Sequence, residues 1–99
     1  MFTYFIYSYI KIGDYMKSIN INNYNSSMGV LIDVRNKDEY DKKHINGSIN
    51  IPYNELIFNH NKYLNKNNKY FLICSGGIKS KRATNILSIY GYDVTNVIR

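Results

Sequence analysis

The chain has 99 residues, of which 44% are hydrophobic, and its formal net charge is +6 at pH 7. This length gives room for one small domain, and the apolar content excludes an intrinsically disordered chain. The lysines are scattered and form no long run, so we interpret them as a solvated basic surface and expect no nucleic-acid partner.

The first stretch of the chain, MFTYFIYSYIKI, is aromatic and apolar. It is far shorter than the roughly 20 apolar residues of a membrane-spanning helix, and it lacks the basic start and the cleavage site of a signal peptide. We therefore expect no membrane association. We interpret residues 1–15 as an N-terminal extension of unassigned role, which can also pack on the domain or on a partner. The domain itself is predicted at residues 16–99, where Met16 offers a second start.

Strand-type and helix-type patterns alternate after this extension. The predicted strands, which are short runs of β-forming residues, cover residues 17–21, 30–34, 48–51, 70–73 and 94–98. The predicted helices are a short one with the capping-box pair Asn36 and Glu39, a second with Tyr53, Leu56, Ile57, His60 and Leu64 on one face, and a third after Ser80 with Ala83, Ile86, Leu87 and Tyr90 on one face. This alternation favours an α/β fold, a small parallel β-sheet flanked by helices on both faces, with ligands at the carboxyl ends of its strands.

Cys74 lies where the predicted strand over residues 70–73 ends. Two glycines follow, Gly76 and Gly77, and they allow the backbone to fold back with its N–H groups turned inward. A lone cysteine after a strand is often only a small buried hydrophobe. The glycine loop and the helix behind it are instead surroundings that favour a thiolate over a thiol, so we interpret Cys74 as a nucleophile.

Three cations, Lys79, Lys81 and Arg82, lie beside the first turn of the third predicted helix. The helix dipole is already positive there, so cations are unfavourable unless an anion occupies the site. A Cys74 thiolate, or an anionic substrate above it, would supply that negative charge. We therefore predict that this segment binds a reactive sulfur and an anion together.

A single cysteine excludes an internal disulfide and a Cys-x-x-Cys redox pair. With His44 and His60 as the only histidines, no zinc-site spacing is present, so we expect no metal and no cofactor. A lone thiol is typical of a reducing compartment, which favours a cytoplasmic location. Since no second thiol in the chain can resolve a modified Cys74, the group it carries must pass to another molecule.

At this point the sequence resembles the rhodanese-like domains, from about Met16 to the last residue. Their active-site loop reads C-x-x-G-x-(R/K)-S, which Cys74, Gly77, Lys79 and Ser80 match. Three upstream segments resemble the family's D-V-R, E-(Y/F) and H-I-x-G-(A/S)-x-(N/H)-(I/L)-P motifs, namely Asp33–Arg35, Glu39–Tyr40 and His44–Pro52. Family members continue past the last strand with a glycine pair, a Trp and a further helix. The resemblance therefore implies a rhodanese-like domain shortened at its carboxyl end, after Arg99.

The resemblance implies a sulfurtransferase that moves a sulfane sulfur from a small anionic donor such as thiosulfate to cyanide or to a thiol such as that of thioredoxin. Cys74 is then the catalytic residue and carries the sulfur as a persulfide. The implied loop that binds the substrate and the persulfide consists of Ser75, Gly76, Gly77, Ile78, Lys79 and Ser80. Lys79 keeps the charge of the commoner Arg but not its bidentate geometry. Asp33 and Arg35 are candidates for a supporting role, and we expect Arg35 to pair with Glu39.

Two other interpretations stay open. One is a non-catalytic rhodanese-like module that binds a partner or carries a persulfide, although inert members of the family often lack the cysteine that this chain retains. The other is a cysteine phosphatase or an arsenate reductase on the same scaffold, whose loop, C-x-x-x-x-x-R, is longer by one residue. Here the cation Lys79 comes five positions after Cys74, so the loop favours a sulfur atom over a tetrahedral oxyanion.

Overall fold

Short strands alternate with helices along residues 16–99, the part of the chain that this computed structural model describes. The strands are β1 (Ser18–Asn20), β2 (Val30–Asp33), β3 (Ile49–Asn50), β4 (Lys69–Ile73) and β5 (Asp93–Ile98). The helices are α1 (Lys37–Lys42), α2 (Tyr53–Phe58), α3 (His60–Tyr63) and α4 (Ile78–Ile89), and a 3-10 helix covers Ile21–Asn23. The predicted extension over residues 1–15 lies outside the described residues.

The five strands form one parallel sheet in the order β1-β5-β4-β2-β3. β4 lies in the middle of the sheet, and four of its five residues are buried because both faces are covered. Asp33 at the end of β2 is paired with Ile73 at the end of β4, and Leu72 is paired with Asn96 of β5. The carboxyl ends of these strands therefore meet at one edge, and the predicted parallel α/β fold is confirmed.

The two faces of the sheet are covered differently. On one face α2 and α4 bury apolar side chains against the strands, among them Leu56, Ala83 and Leu87. On the other face Phe71 and its neighbours pack against residues of β1, the 3-10 helix and the loops, namely Ile19, Ile21, Tyr24, Met28 and Ile45. Within residues 16–99, the second face is therefore covered by one short 3-10 helix and loop residues, and the long helix α4 packs on the face that carries Cys74.

The predicted apolar face of α4 is partly wrong. Its buried positions are Ser80, Ala83, Thr84 and Leu87. Tyr90, predicted on the buried face, is 51% exposed. Two hydroxyl residues can be buried because each bonds to a backbone carbonyl: Thr84 donates to Ser80 O at 2.8 Å, and Ser80 donates to Gly77 O at 3.3 Å.

The second predicted helix is broken into α2 and α3 at Asn59, whose φ of −126° and ψ of 34° are not helical. His60 is the first residue of α3 after this break, and it contacts two tyrosines that the sequence pattern did not predict as its partners. Its Nδ1 lies 2.8 Å from the hydroxyl of Tyr92, and its ring stacks on Tyr90. None of the helices in residues 16–99 has the length and hydrophobicity needed to cross a bilayer.

Candidate active site

Cys74 is the first residue after β4, at the edge where the parallel strands end. The N–H of Val34 donates to Ile73 O at 3.0 Å, so β2 and β4 stay paired up to this point. The chain then turns into α4 at Gly77, which has a φ of +83° at the N-cap position. L side chains rarely adopt this conformation, so the turn requires glycine here. Gly76 has no positive φ, so only one of the two predicted glycines is needed for the turn.

The sulfur of Cys74 lies at the N-terminal end of α4 and receives its amides. The N–H groups of Gly77 and Ser80 donate to Sγ at 3.1 and 3.3 Å. The thiol in turn donates to Oγ of Ser80, which lies 3.4 Å away. The first N–H groups of a helix have no partner within the helix and carry its positive partial charge, so the sulfur lies at the positive end of the α4 dipole.

Four further amides of the loop have no acceptor within residues 16–99. They belong to Ser75, Gly76, Ile78 and Lys79. Unpaired backbone N–H groups are uncommon unless water or a ligand can reach them. The loop therefore offers more hydrogen-bond donors than the Cys74 sulfur itself accepts.

Cys74 is only 5% exposed, yet it lies between two open cavities. The first, of about 210 Å³, is bordered by Arg35, Glu39 and Lys79. The second, of about 160 Å³, lies between the loop and the end of β5 and is bordered by Asn96. Cys74 thus belongs to the buried core and at the same time borders both cavities.

Arg35 makes its ion pair with Asp33, so the predicted pairing with Glu39 is wrong. Its Nε lies 3.0 Å and its Nη2 2.8 Å from Oδ2 of Asp33, and Nη2 also donates to Lys43 O at 2.6 Å. The hydrogen bonds to Asp33 raise the pKa of Arg35 above its usual value. The physical reason for the pairing is burial, because Asp33 is 1% exposed and a buried carboxylate needs a cation.

Asn50 also stabilises the turn after β2, and this role was not predicted from the sequence. Its Nδ2 donates to Asp33 O at 3.0 Å and to Arg35 O at 2.9 Å, which fixes the turn after β2. Asn36 stands at the N-cap of α1 but makes no side-chain cap bond, so the predicted capping box is not formed. A signal for the ion pair was available, since Asp33 closes a buried strand and Arg35 is the nearest cation.

The structure thus places the predicted loop, Ser75–Ser80, around the Cys74 sulfur, with Arg35 and Lys79 on the first cavity. Lys79 is exposed. Asp33 does not border the first cavity itself, but it forms an ion pair with Arg35, which does. Asn96, which borders the second cavity, was not predicted as a site residue, although an asparagine in a run of β-forming residues was a signal for it. Within residues 16–99, no cluster of three or more His, Cys, Asp or Glu side chains is arranged to bind a metal.

Comparison with known proteins gives two curated relatives that the chain matches over part of their length. A tRNA uridine(34) hydroxylase of Buchnera aphidicola subsp. Baizongia pistaciae is 32% identical over 87 residues, which cover 82% of this chain and 28% of the relative. YrkF of Bacillus subtilis, named as a candidate sulfur carrier protein, is 36% identical over 69 residues, which cover 69% of this chain and 37% of the relative. The chain therefore spans about a third of the length of these relatives.

A similar solved structure and a family model both match this chain. The crystal structure of a rhodanese-related protein from Thermoplasma volcanium matches with a TM-score of 0.74 at 35% identity, covering 82% of both chains. The family model of the rhodanese-like domain matches residues 14–99. The resemblance seen in the motifs is confirmed, and the chain belongs to the rhodanese-like domain family.

Proposed function

We propose that this rhodanese-like domain is a sulfurtransferase in which Cys74 carries the transferred sulfur as a persulfide. The observation that carries the proposal is the pair of N–H bonds from Gly77 and Ser80 to Sγ, at 3.1 and 3.3 Å, where α4 begins. N–H donors at the positive end of a helix stabilise a sulfur anion more than a neutral thiol. Cys74 is therefore suited to attack as a thiolate.

The first half-reaction loads the sulfur. The Cys74 thiolate attacks the outer sulfur of thiosulfate, a new S–S bond forms, and sulfite leaves with the electron pair of the original bond. Arg35 and Lys79 border the cavity through which the dianion arrives, and their positive charges attract it. The Asp33 ion pair orients Arg35, whereas Lys79 is exposed and acts mainly through its charge.

The persulfide then has to be stabilised in the loop. Its outer sulfur needs hydrogen-bond donors, as an oxyanion does in other covalent enzymes. The amides of Ser75, Gly76, Ile78 and Lys79, which have no acceptor within residues 16–99, are the candidate donors. The loop therefore has donors available for the outer sulfur of a persulfide.

The second half-reaction transfers the sulfur to another molecule. An acceptor such as cyanide or a protein thiol attacks the outer sulfur, and Cys74 leaves as a thiolate. Because Cys74 is the only cysteine of the chain, no internal disulfide can form and the acceptor must come from outside. The mechanism therefore predicts ping-pong kinetics with thiosulfate and the acceptor.

Turnover measurements test the proposal. The full chain should convert thiosulfate and cyanide to sulfite and thiocyanate, and Cys74→Ser should lower the rate by at least about a thousandfold, because the hydroxyl is a far weaker nucleophile at neutral pH. Reduced thioredoxin serves as a second acceptor. A Cys74→Ser variant that keeps the original rate contradicts the proposal, as does hydrolysis of an aryl phosphate by a chain that does not turn over thiosulfate.

A second candidate function is that of a persulfide carrier that serves one protein partner. The observation that favours it is the 36% identity to a Bacillus subtilis protein named as a candidate sulfur carrier. A carrier would form the Cys74 persulfide with thiosulfate but would release it slowly to cyanide and quickly to a protein thiol. Comparing the two acceptors on the loaded chain separates a carrier from a general sulfurtransferase.

A further inference from the structure

Glu39 is an acidic residue at a site whose other charged side chains are basic. It lies in the first turn of α1 and borders the first cavity together with Cys74, Arg35 and Lys79. A carboxylate repels an anionic donor, whereas the two cations attract it. The charges around this cavity therefore do more than attract anions, because one of them opposes a donor that carries negative charge.

The fold does not use the Glu39 carboxylate to neutralise a cation. The side chain is exposed, and it makes no ion pair within residues 16–99. Arg35, its predicted partner, is bound to Asp33 instead. An acidic residue in the first turn stabilises a helix, but Asp38 lies in that turn as well. The negative charge of Glu39 is therefore available to act on a molecule in the cavity.

Glu39 and Cys74 act on the same guanidinium. The pKa of Arg35 is raised chiefly by its hydrogen bonds to Asp33. The negative charges of Glu39 and of a Cys74 thiolate raise this pKa further. Charges that act on one group beside a cavity of about 210 Å³ also act on a molecule inside it. At 0.01 M salt the Debye length is about 30 Å, so salt screens these interactions only weakly.

The balance of charge at the first cavity depends on Glu39. Arg35 and Lys79 each carry one positive charge, and Glu39 offsets one of them. The energy of repulsion between Glu39 and a donor is proportional to the charge of the donor. A doubly charged donor such as thiosulfate is therefore repelled more than a singly charged donor of similar shape. Glu39 discriminates between donors in this way, although the two cations attract both of them.

We propose that Glu39 is a specificity-determining residue for the sulfur donor, and that it disfavours doubly charged donors relative to singly charged ones. The class that it favours is a sulfane-sulfur donor with one negative charge, such as an organic thiosulfonate, in which a carbon group replaces one oxygen of thiosulfate. This inference rests on the proposed sulfur transfer through Cys74, and it concerns only the first half-reaction.

The bond changes are the same for both kinds of donor. The Cys74 thiolate attacks the outer sulfur of the donor, and a new S–S bond forms while the bond to the inner sulfur breaks. Sulfite leaves from thiosulfate, and a sulfinate leaves from a thiosulfonate, each with the electron pair of the broken bond. The step consumes no proton, oxidant or reductant. Glu39 takes part in no bond change and acts only through its charge.

Two donors that differ by one unit of charge test the inference. Methanethiosulfonate has the outer sulfur of thiosulfate and a methyl group in place of one oxygen. The rate at which each donor forms the persulfide on the full chain is measured at low salt by mass spectrometry. In Glu39→Gln the rate with thiosulfate divided by the rate with methanethiosulfonate should rise about two- to fivefold over the native ratio, as expected for one partly screened charge. Comparison with the native ratio removes the intrinsic reactivity of the two donors.

Asp38→Asn is the matched control, because it removes the same charge from the same turn of α1 and Asp38 does not border the cavity. It should keep the native ratio. Glu39→Ala repeats the comparison without a side-chain amide that could bond to either donor, and it replaces the glutamine variant if that variant does not fold.

The outcomes distinguish the role of Glu39 from the proposed function. A ratio that stays native when Glu39 is replaced overturns the inference, and so does an equal rise in Asp38→Asn, which would show only an effect of net charge. A native chain that forms no persulfide with either donor contradicts the proposed function itself. A native chain that loads from both donors, with a ratio that Glu39 does not change, contradicts only the role of Glu39.

Discussion

Two connections leave the same edge of the sheet and differ in how far their polar groups are paired. The first follows β2 and leads to α1, and the second follows β4 and leads to α4. In the first, the Asp33 carboxylate bonds to the Arg35 guanidinium, and Asn50 donates to two backbone carbonyls. In the second, two amides of a glycine loop donate to one sulfur, and four others have no acceptor in residues 16–99.

The difference fits a structural role for the first connection and the proposed reactive role for the second. The turn after β2 pairs most of its polar groups within itself, and its ion pair holds Arg35 in place beside the first cavity. The loop after β4 keeps its donors available, and donors without partners bind and stabilise an incoming anion. The two are joined by the bond from Val34 N–H to Ile73 O at 3.0 Å, so the first connection fixes where Cys74 leaves the sheet.

The largest effect on stability is expected where the paired connection is broken. Asp33→Asn removes the charge that neutralises Arg35, whose side chain is 12% exposed, and leaves a mostly buried cation without its partner. We expect the free energy of unfolding to fall by about 3 kcal/mol, because removing one member of a buried pair strands the other. Urea denaturation followed by circular dichroism measures the change.

The double variant Asp33→Asn, Arg35→Met is the control for this prediction. It removes the stranded cation and keeps much of the side-chain volume, so it should recover a large part of the lost stability. A loss below about 1 kcal/mol in the single variant would mean that solvent already screens this pair, as it does at the surface. The contrast between the two connections would then be wrong.

A smaller effect is expected from a glycine of the reactive loop. A Cβ at Gly77 would meet no atom within 4 Å, so Gly77→Ala acts only through its φ of +83°. Holding alanine in this conformation costs about 1–2 kcal/mol, and relief of the strain would move the amide away from Sγ. We expect lower stability together with slower persulfide formation.

Gly76→Ala is the matched control, since a Cβ there also meets no atom within 4 Å and φ is not positive. It should leave stability nearly unchanged. Equal losses of stability and loading rate in the two variants would contradict the prediction. They would show that the positive φ of Gly77 does not determine the position of its amide. Thermal unfolding and single-turnover loading measure the two quantities.

The smallest effect is expected at Lys79, which is exposed on the first cavity. Lys79→Ala should raise the KM for thiosulfate about two- to fivefold and weaken its dependence on salt, because an exposed charge acts through a screened field. Lys79→Arg should keep the native KM or lower it, since a guanidinium binds an oxyanion with two hydrogen bonds. An unchanged KM in the alanine variant at low salt would remove Lys79 from donor binding.

Much of this fold was predictable from the sequence, because alternating strand and helix patterns leave few topologies for a small α/β domain. The position of Cys74 at a strand end, before a glycine turn and a helix, was predictable for the same reason. The buried face of α4 was not, because Ser80 and Thr84 are buried through hydrogen bonds to carbonyls that a hydrophobic pattern does not include.

Partners between distant segments were the least predictable feature. Asn50 bonds to carbonyls 15 and 17 residues before it in the chain, and Asn96 borders the Cys74 cavity although it is distant from Cys74 in the sequence. Both positions depend on which strand ends lie side by side. The register of the sheet determines this, and local sequence does not reveal the register. The choice of Asp33 over Glu39 as the partner of Arg35 follows from burial, which charge spacing alone does not indicate.

The most direct measurement of the central claim is the mass of the intact chain after brief treatment with thiosulfate and removal of the excess. The account predicts the added mass of one sulfur atom, located on the peptide that contains Cys74, lost on treatment with cyanide and absent from Cys74→Ser. A chain that stays at its original mass while remaining folded would contradict the account.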